Sequence, residues 1–231
     1  VEVTLRLVAQ WGGTIARRAD GFEVTPGLQP QAQVEVEGDY SAAAYPAAAA
    51  ALTGGEVTLL GLDRDSAQGD RGFLDLLAAM GAKVQWVGDA LHVRGDGRLV
   101  ALDADLAGMP DQVPTLAALA PFAHGTTRIR NVPHLRIKES DRLAAMAGEL
   151  RRLGVPVEEL PDGLVIPGVW AATSPPAGPT EVYAHGDHRI AMSLALVGLR
   201  RPGVLVAQPE VVGKSYPGFW SDLASLQEGG R

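Results

Sequence analysis

The chain has 231 residues, 46% of them hydrophobic, which is enough to bury one large core or two small ones. It has no cysteine, which excludes disulfides, thiolate metal ligands and a cysteine nucleophile. Its net charge of −7 argues against broad nucleic-acid binding, which needs a basic surface. No apolar run reaches the ~18 residues of a membrane span and no secretory signal pattern is present, so a cytoplasmic location without a membrane partner is expected.

One pattern occurs three times: an amphipathic helical run, a glycine, a strand, a turn containing aspartate, and a second strand. Its copies read LRLVAQWGGTIARRADGFEV, LDLLAAMGAKVQWVGDALHV and GELRRLGVPVEELPDGLVI. Gly12, Gly81 and Gly154 are predicted to end the helices, because glycine readily adopts the left-handed conformation found there. The DG and GD pairs that follow are typical of hairpin turns.

A second pattern alternates with the first. Its copies read GDYSAAAYPAAAAALTGGEVTLLG, PDQVPTLAALAPFAHGTTRIRN and GDHRIAMSLALVGLRRPGVLVAQ. In each, an aspartate (Asp39, Asp111 or Asp187) is a predicted helix N-cap, and the helix after it is apolar nearly all round, which is typical of a buried helix. We therefore expect buried helices at 40–53 and 111–123.

Together the two patterns predict an α/β (α+β) fold of repeated βαβαββ units, with buried helices between sheets. Full units cover about 34–97 and 98–168, preceded by the back half of a unit at 1–33 and followed by the front half of another at about 180–231. Because the chain begins within a unit, we interpret it as a piece of a longer protein or as the ordered part of one.

The most charged stretch, HLRIKESDR at 134–142, lies between a predicted strand and a predicted helix. The loops at 65–73 and 212–219 occupy the same place in their units, so the three loops and the three capped helix starts are expected on one face. Helix N-termini favour anions, which makes this face a candidate anion site. Four cations belong to it: Lys138, Arg142, Arg189 and Lys214.

A purely structural explanation exists for each of these residues. The three aspartates need be no more than caps, and Glu139 can simply complement a helix dipole. Lys138 and Arg142 are four apart and would share a solvated helix face. His188 lies at the first turn of a buried helix, where a structural hydrogen-bonding role is commoner than catalysis. The histidines show no ligand spacing, so no metal site is predicted.

Several segments resemble the signature regions of the EPSP synthase (3-phosphoshikimate 1-carboxyvinyltransferase) family. They include MPDQVPTLAALAPFAHGTTRIRNVPHLRIKESDRLAAMAGELRRLG, GDHRIAMSLALVGLR, VVGKSYPGFW, VEGDYSAAAYPAAAA and DSAQGD. The resemblance covers essentially the whole chain, in order, and IKESDRLAAM and GDHRIAM are its most specific parts. The sister enzyme that transfers enolpyruvyl to a UDP-amino sugar shares the repeat but lacks the KESDR run.

The resemblance implies two domains, each of three βαβαββ units, that close on the substrates. Residues 1–35 would end the first domain and residues 36–231 would form most of the second, with the crossing near 34–39. The N-terminal half of the same enzyme would be the partner, and the 231-residue chain alone is expected to be inactive. Two alternatives remain: an enolpyruvyl transferase acting on a UDP-amino sugar, and a non-catalytic half-protein that only binds anions.

The family transfers the enolpyruvyl group of phosphoenolpyruvate to the 5-hydroxyl of shikimate 3-phosphate in chorismate biosynthesis, releasing phosphate and using no cofactor. The resemblance implies that Asp111 is the base and that Glu139 is a second acid or base. It implies shikimate 3-phosphate contacts at His134, Lys138 and Asp111, and phosphoenolpyruvate contacts at Arg142, Arg189 and Lys214, with His188 as a further possibility. His134 is a departure, because many members have Asn there.

Overall fold

The computed structural model describes residues 1–29, 33 and 35–228. Its helices are α1 (Glu2–Gln10), α2 (Tyr40–Thr53), α3 (Phe73–Ala79), α4 (Val113–Leu119), α5 (Arg142–Arg152), α6 (His188–Gly198) and α7 (Phe219–Glu228). Its strands are β1 (Thr14–Arg18), β2 (Gly21–Thr25), β3 (Glu56–Leu59), β4 (Lys83–Val87), β5 (Ala90–Arg94), β6 (Leu99–Val100), β7 (Asp103–Asp105), β8 (Ala123–His124), β9 (Thr126–Arg130), β10 (Glu158–Leu160), β11 (Gly163–Pro167), β12 (Thr180–Tyr183) and β13 (Val204–Ala207). No helix within these residues is long and apolar enough to cross a membrane.

Two sheets have the same strand order. One is β4–β5–β3 and the other is β10–β11–β9, both antiparallel, and β7 adds to the second sheet parallel to β9. Strands β12 and β13 pair in parallel and are joined through a helix, as β7 and β9 are. β1–β2 is a separate hairpin, and β6–β8 is a short parallel pair. The repeat predicts that its units share one strand order, and these two sheets do, although residues 35–39, where the first full unit would open with a strand, have no regular secondary structure.

The glycines that follow α1, α3 and α5 have the conformation expected at a helix C-terminus. The φ angles are +70° for Gly12, +111° for Gly81 and +93° for Gly154, which a residue with a Cβ atom rarely adopts. A hairpin follows each one: β1–β2, β4–β5 and β10–β11. The prediction that these glycines end the helices is therefore confirmed.

The core is built on α2, α4 and α6, which contact one another. Every residue of α4 is buried, as are most residues of α2 and α6. Alanine makes up most of α2, and its small side chain lets neighbouring elements approach closely. These helices contact the sheets as well, α2 through β3 and β5 and α6 through β12 and β13.

Of the two predicted buried helices, the first is confirmed and the second is shorter than predicted. The α-helix at 40–53 has the predicted bounds, whereas the segment 111–123 contains α4 between the 3₁₀ turns Pro110–Gln112 and Ala120–Phe122. Pro121 explains the early end, because proline has no N–H to donate and its ring clashes with the carbonyl four residues back.

The predicted crossing between domains, near 34–39, is only partly covered by the structure. Val34 lies outside the described residues, as do 30–32, and residues 35–39 have no regular secondary structure. Residues 229–231, at the end of the predicted half-unit, also lie outside them. The division into 1–35 and 36–231 therefore stays a prediction.

Candidate active site

Arg142, the first residue of α5, has a guanidinium surrounded by carboxylates. Its side chain is 1% exposed, and its Nε donates to Oδ2 of Asp187 at 2.7 Å. Its Nη1 donates to Oδ1 of Asp111 at 2.7 Å and its Nη2 to Oε2 of Glu139 at 2.9 Å. The helix starts at Arg142 because Asp141 caps it by accepting a first-turn N–H at 3.0 Å.

Two more predicted cations join the same carboxylates. Nη2 of Arg189 lies 3.0 Å from Oδ2 of Asp111, and Nζ of Lys214 donates to Oε1 of Glu139 at 2.7 Å. Arg142 and Arg189 thus share Asp111, while Arg142 and Lys214 share Glu139. The structure therefore brings five predicted site residues into one network, which we call the Arg142 cluster.

The cations of the cluster come from the two kinds of position that the repeat places on one face: Arg142 and Lys214 from equivalent loops, and Arg189 from a capped helix start. Arg142 starts α5, Arg189 lies in the first turn of α6, and Lys214 ends the 3₁₀ helix Pro209–Lys214. The sequence predicts this shared face, because the loops and helix starts recur at equivalent positions of the units.

Two of the three predicted caps are caps, and the third is not. Asp39 accepts the N–H of Ser41 at 2.8 Å, and Asp187 accepts the N–H of Arg189 at 2.9 Å. Asp111 lies in the 3₁₀ turn before α4 and makes no side-chain cap. Its carboxylate instead binds two guanidinium groups, which offer charge-assisted hydrogen bonds stronger than a neutral cap.

The network shifts the pKa of two of its members, in each case toward the charged form. Hydrogen bonding from Lys214, followed by the backbone N–H of Glu139 itself, lowers the pKa of Glu139 from 4.5 to about 2. Burial opposes the charge of Arg142, but the carboxylates of Asp187 and Asp111 outweigh it and raise the pKa of Arg142. Glu139 is therefore ionised at neutral pH, and Arg142 keeps its charge although it is buried.

His134 and Lys138 are not joined to the cluster. Within the described part of the chain, neither side chain makes a hydrogen bond or an ion pair; His134 is half-buried and Lys138 exposed. The prediction that Lys138 and Arg142 share a solvated helix face is wrong. Lys138 is extended and precedes α5, whereas Arg142 is buried.

Arg136 fixes the loop that carries these residues. Its Nη1 contacts Asp141 at 3.0 Å and Glu159 at 2.8 Å, and its other nitrogens donate to the backbone oxygens of Leu160 and Pro161. These contacts tie the charged stretch to the β10–β11 hairpin. Arg136 and Asp141 therefore have structural partners of their own, outside the cluster.

Three more side chains lie beside the cluster. His188 is buried, its Nδ1 is 3.8 Å from Oδ1 of Asp187, and burial lowers the pKa of His188. Tyr45 is fully buried beside Arg189, and burial raises the pKa of Tyr45 to about 12. Oγ of Ser140 donates to Asp187 at 3.2 Å. The places of Tyr45 and Ser140 beside the cluster and the ion pair of Asp187 with Arg142 were not predicted from the sequence, which indicated Asp187 only as a helix N-cap. Ser140 and Asp187 nevertheless lie within the KESDR and GDHR motifs.

The arrangement of acidic side chains gives no sign of a metal site in the part of the chain that the structure describes. No group of three or more His, Asp or Glu side chains in the described ranges is arranged to hold a metal ion. The carboxylates of the cluster face guanidinium and ammonium groups instead.

The family model of EPSP synthase (3-phosphoshikimate 1-carboxyvinyltransferase) matches residues 1–223. The chain belongs to this family. It is 49% identical over 229 residues to a 3-phosphoshikimate 1-carboxyvinyltransferase of Syntrophobacter fumaroxidans, covering 98% of this chain and 53% of the relative. A relative from Methanopyrus kandleri with the same name is 42% identical over 227 residues, covering 98% and 51%. The chain thus spans about half the length of the curated relatives it matches.

Solved structures agree with the fold. An EPSP synthase from Acinetobacter baumannii aligns with a TM-score of 0.77 at 27% identity, over 95% of this chain and 53% of the other. The enolpyruvyl transferase NikO from Streptomyces tendae aligns with a TM-score of 0.74 at 22% identity, over 98% and 52%, and this similarity shows the fold alone. The predicted enolpyruvyl transferase-like fold is confirmed.

Proposed function

We propose that this chain is the C-terminal part of an enzyme that transfers the enolpyruvyl group of phosphoenolpyruvate to the 5-hydroxyl of shikimate 3-phosphate. The step releases phosphate and belongs to chorismate biosynthesis, in the cytoplasm. Membership of the EPSP synthase family supports the reaction. The N-terminal half of the same enzyme is the proposed partner, because the chain spans about half of its curated relatives. The observation that carries the site is the Arg142 cluster.

The cations of the cluster suit a ligand with a carboxylate and a phosphate. Guanidinium groups bind both anions through paired N–H donors, and ammonium adds a compact charge. Asp111, Glu139 and Asp187 balance the charges of Arg142, Arg189 and Lys214. We propose that phosphoenolpyruvate replaces Asp111 and Glu139 as the partner of Arg142, Arg189 and Lys214. The buried Asp187 remains hydrogen-bonded to Arg142.

The released carboxylates would then move protons. In the addition step, Asp111 takes the proton of the 5-hydroxyl while the hydroxyl oxygen bonds to C2 of phosphoenolpyruvate, and the C2=C3 double bond opens as C3 takes a proton to become a methyl group. In the elimination step, the methyl group gives up a proton and the C2–O bond to phosphate breaks. Glu139 is the proposed acid and base at C3. The contacts with Lys214 and Arg142 hold the pKa of Glu139 low, which makes it a weak base, and loss of these contacts to the ligand would raise that pKa and make Glu139 a better proton carrier.

Shikimate 3-phosphate is the proposed ligand of His134, Lys138 and Asp111. His134 and Lys138 have no protein partner in the described part of the chain, and they precede Glu139 on the same loop. A phosphate would satisfy their donors, and Asp111 would accept from the reacting hydroxyl. Closure by the N-terminal half would exclude water from these charges.

A phosphate-release assay tests the proposal. The chain is assayed alone and together with the N-terminal half of the Syntrophobacter fumaroxidans relative, with phosphoenolpyruvate and either shikimate 3-phosphate or a UDP-amino sugar. We expect release only from the combined halves with shikimate 3-phosphate. Phosphate release with the UDP-amino sugar instead would show that the enzyme acts on that acceptor. If the chain binds phosphoenolpyruvate but releases phosphate with neither acceptor, it is a half-protein that only binds anions. Release by the chain alone at the combined rate would contradict the need for a partner.

A further inference from the structure

A tight turn at 184–187 joins β12 to α6 and delivers Asp187 to the Arg142 cluster. The N–H of Asp187 donates to the carbonyl of Ala184 at 2.9 Å, and the two central residues, His185 and Gly186, have φ angles of +54° and +70°. Positive φ at both central positions is the signature of a type I′ turn. Glycine adopts this conformation without strain, whereas histidine requires surrounding contacts to hold it there.

The contact that holds His185 is a buried carboxylate of α5. The side chain of Glu149 is 3% exposed, and its Oε1 lies 2.9 Å from Nε2 of His185. Its Oε2 accepts the N–H of Tyr183 at 3.1 Å and Nε of Arg152 at 3.1 Å. Because an ionised carboxylate can only accept, Nε2 of His185 carries the hydrogen. Glu149 thus fastens both the end of β12 and the turn to α5.

The same two segments meet a second time at the cluster. α5 begins with Arg142 and carries Glu149 two turns later, while the turn contains His185 and ends with Asp187. The contacts Glu149–His185 and Arg142–Asp187 therefore attach the turn to one rigid helix at two points. Two points of attachment hold the backbone of the turn against α5, and with it the position from which the Asp187 carboxylate reaches Arg142, the N–H of Arg189 and Ser140.

The turn is also tied to the segment that carries Lys214. The N–H of Gly186 donates to Oε1 of Gln208 at 3.3 Å. Gln208 itself has a φ of +61° and immediately precedes the 3₁₀ helix that ends at Lys214. Only three non-glycine residues of the described ranges have positive φ, and two of them are His185 and Gln208. Strained backbone gathered beside a site is a common feature of pre-organised active sites.

We propose that His185 is a positioning residue for the phosphoenolpyruvate contacts. Its hydrogen bond to Glu149 holds the turn so that Asp187 orients the guanidinium of Arg142. His185 touches no substrate and acts only through Asp187. This inference rests on the proposed function, because it is the binding of phosphoenolpyruvate that Arg142 serves.

Two substitutions separate the hydrogen bond from the backbone conformation. His185→Gly permits the positive φ but removes the donor, whereas His185→Gln keeps an N–H donor near the place of Nε2 but not the conformational freedom. His92→Ala is the matched control, because this half-buried histidine also makes one side-chain contact, 3.0 Å to Thr58, in the β4–β5–β3 sheet. Kinetics are measured with the N-terminal half present.

If the hydrogen bond positions Asp187, His185→Gly raises the KM for phosphoenolpyruvate on the order of tenfold, short of the ~10²-fold that a 1 Å misplacement can cause. The KM for shikimate 3-phosphate and the kcat at saturating phosphoenolpyruvate change little. His185→Gln and His92→Ala stay near wild type. The opposite ranking, with His185→Gly normal and His185→Gln impaired, would show that only the turn conformation matters and would overturn the proposal.

Hydrogen exchange of the amides at 183–187 gives a readout that needs no activity. His185→Gly should speed exchange in this segment alone, while His185→Gln should leave it protected. Faster exchange throughout the chain, or equal changes in both KM values, would mean general destabilisation and would also overturn the proposal. If the unaltered enzyme releases no phosphate, the proposed function fails, but the exchange pattern still tests whether Glu149 and His185 hold the turn.

Discussion

Arg142 and Asp187 form an ion pair withdrawn from solvent, with the Arg142 side chain 1% exposed, that of Asp187 0% exposed, and Nε and Oδ2 2.7 Å apart. Asp187 is also the N-cap of α6, so a single carboxylate caps the start of one helix and orients the first residue of another. A buried charge that loses its partner keeps the cost of its desolvation, so the stability of the fold depends on the same guanidinium that we propose binds phosphoenolpyruvate.

Removal of the Asp187 carboxylate should therefore destabilise the chain strongly. We expect Asp187→Ala to lower the free energy of unfolding by about 3–5 kcal/mol, measured by urea denaturation, because Arg142 is left buried with less compensation. Asp39→Ala is the matched control: Asp39 caps α2 in the same way but makes no ion pair with the residues that the structure describes, so its loss should cost about 1 kcal/mol. Equal losses in the two variants would show that Asp187 matters only as a cap.

The low pKa of Glu139 predicts a loss of stability in acid. The pKa of Glu139 is about 2 in the folded chain against an ordinary 4.5, so its carboxylate stabilises the fold above about pH 4.5 and this contribution disappears as the pH falls toward about 2. Glu139→Gln should flatten the dependence of Tm on pH within that window. Glu56→Gln, on β3 and outside the cluster, is the control. An unchanged pH profile in Glu139→Gln would mean that its contacts with Lys214 and Arg142 contribute nothing to folding.

Local features of the fold were predictable from the sequence because they are encoded locally. The glycines after α1, α3 and α5, the hairpins that follow them and the bounds of α2 all depend on residues within a few positions of one another. The common strand order of the two sheets follows from the repeat. The loss of regular helix around Pro121 was missed, although its signal is the proline itself.

The partners within the site were less predictable. Periodicity places Arg142 at a helix start, but it cannot show that a carboxylate 45 residues away, Asp187, draws its guanidinium into the core. For the same reason, the position of Asp111 before an apolar helix predicted a helix N-cap, whereas in the fold its carboxylate pairs with Arg142 and Arg189. Side-chain pairs between distant segments depend on how the units pack, which no single stretch of sequence encodes.

Loss of either proposed proton carrier should lower the turnover of the combined halves. We expect Asp111→Ala and Glu139→Ala each to reduce kcat on the order of 10²-fold or more, which is typical for a positioned acid or base. Both variants should still bind phosphoenolpyruvate in a titration, because Arg142, Arg189 and Lys214 remain. Asp141→Asn is the control, since asparagine also caps helices and Asp141 lies outside the cluster. A kcat near wild type in Glu139→Ala would make Glu139 a structural partner of Lys214 and nothing more.

The cations should instead control affinity. Arg189→Ala and Lys214→Ala each remove one charge-assisted contact to phosphoenolpyruvate, an interaction of about 1.5–3 kcal/mol, so the KM for phosphoenolpyruvate should rise by roughly ten- to a hundredfold. Removal of Arg189 also frees one oxygen of Asp111, and removal of Lys214 frees one of Glu139.

Two controls match these variants in charge. Arg128→Ala and Lys83→Ala remove an exposed cation from β9 and β4, outside the cluster, and so test whether net charge alone attracts the anion. A general electrostatic effect would weaken binding equally in all four variants and would fade as salt is added. Specific contacts would weaken it only in Arg189→Ala and Lys214→Ala. The difference should persist at high salt in Arg189→Ala, because Arg189 is largely shielded from solvent, and less so in Lys214→Ala, because Lys214 is exposed. Equal KM values for Arg189→Ala and Arg128→Ala would remove Arg189 from the phosphoenolpyruvate site.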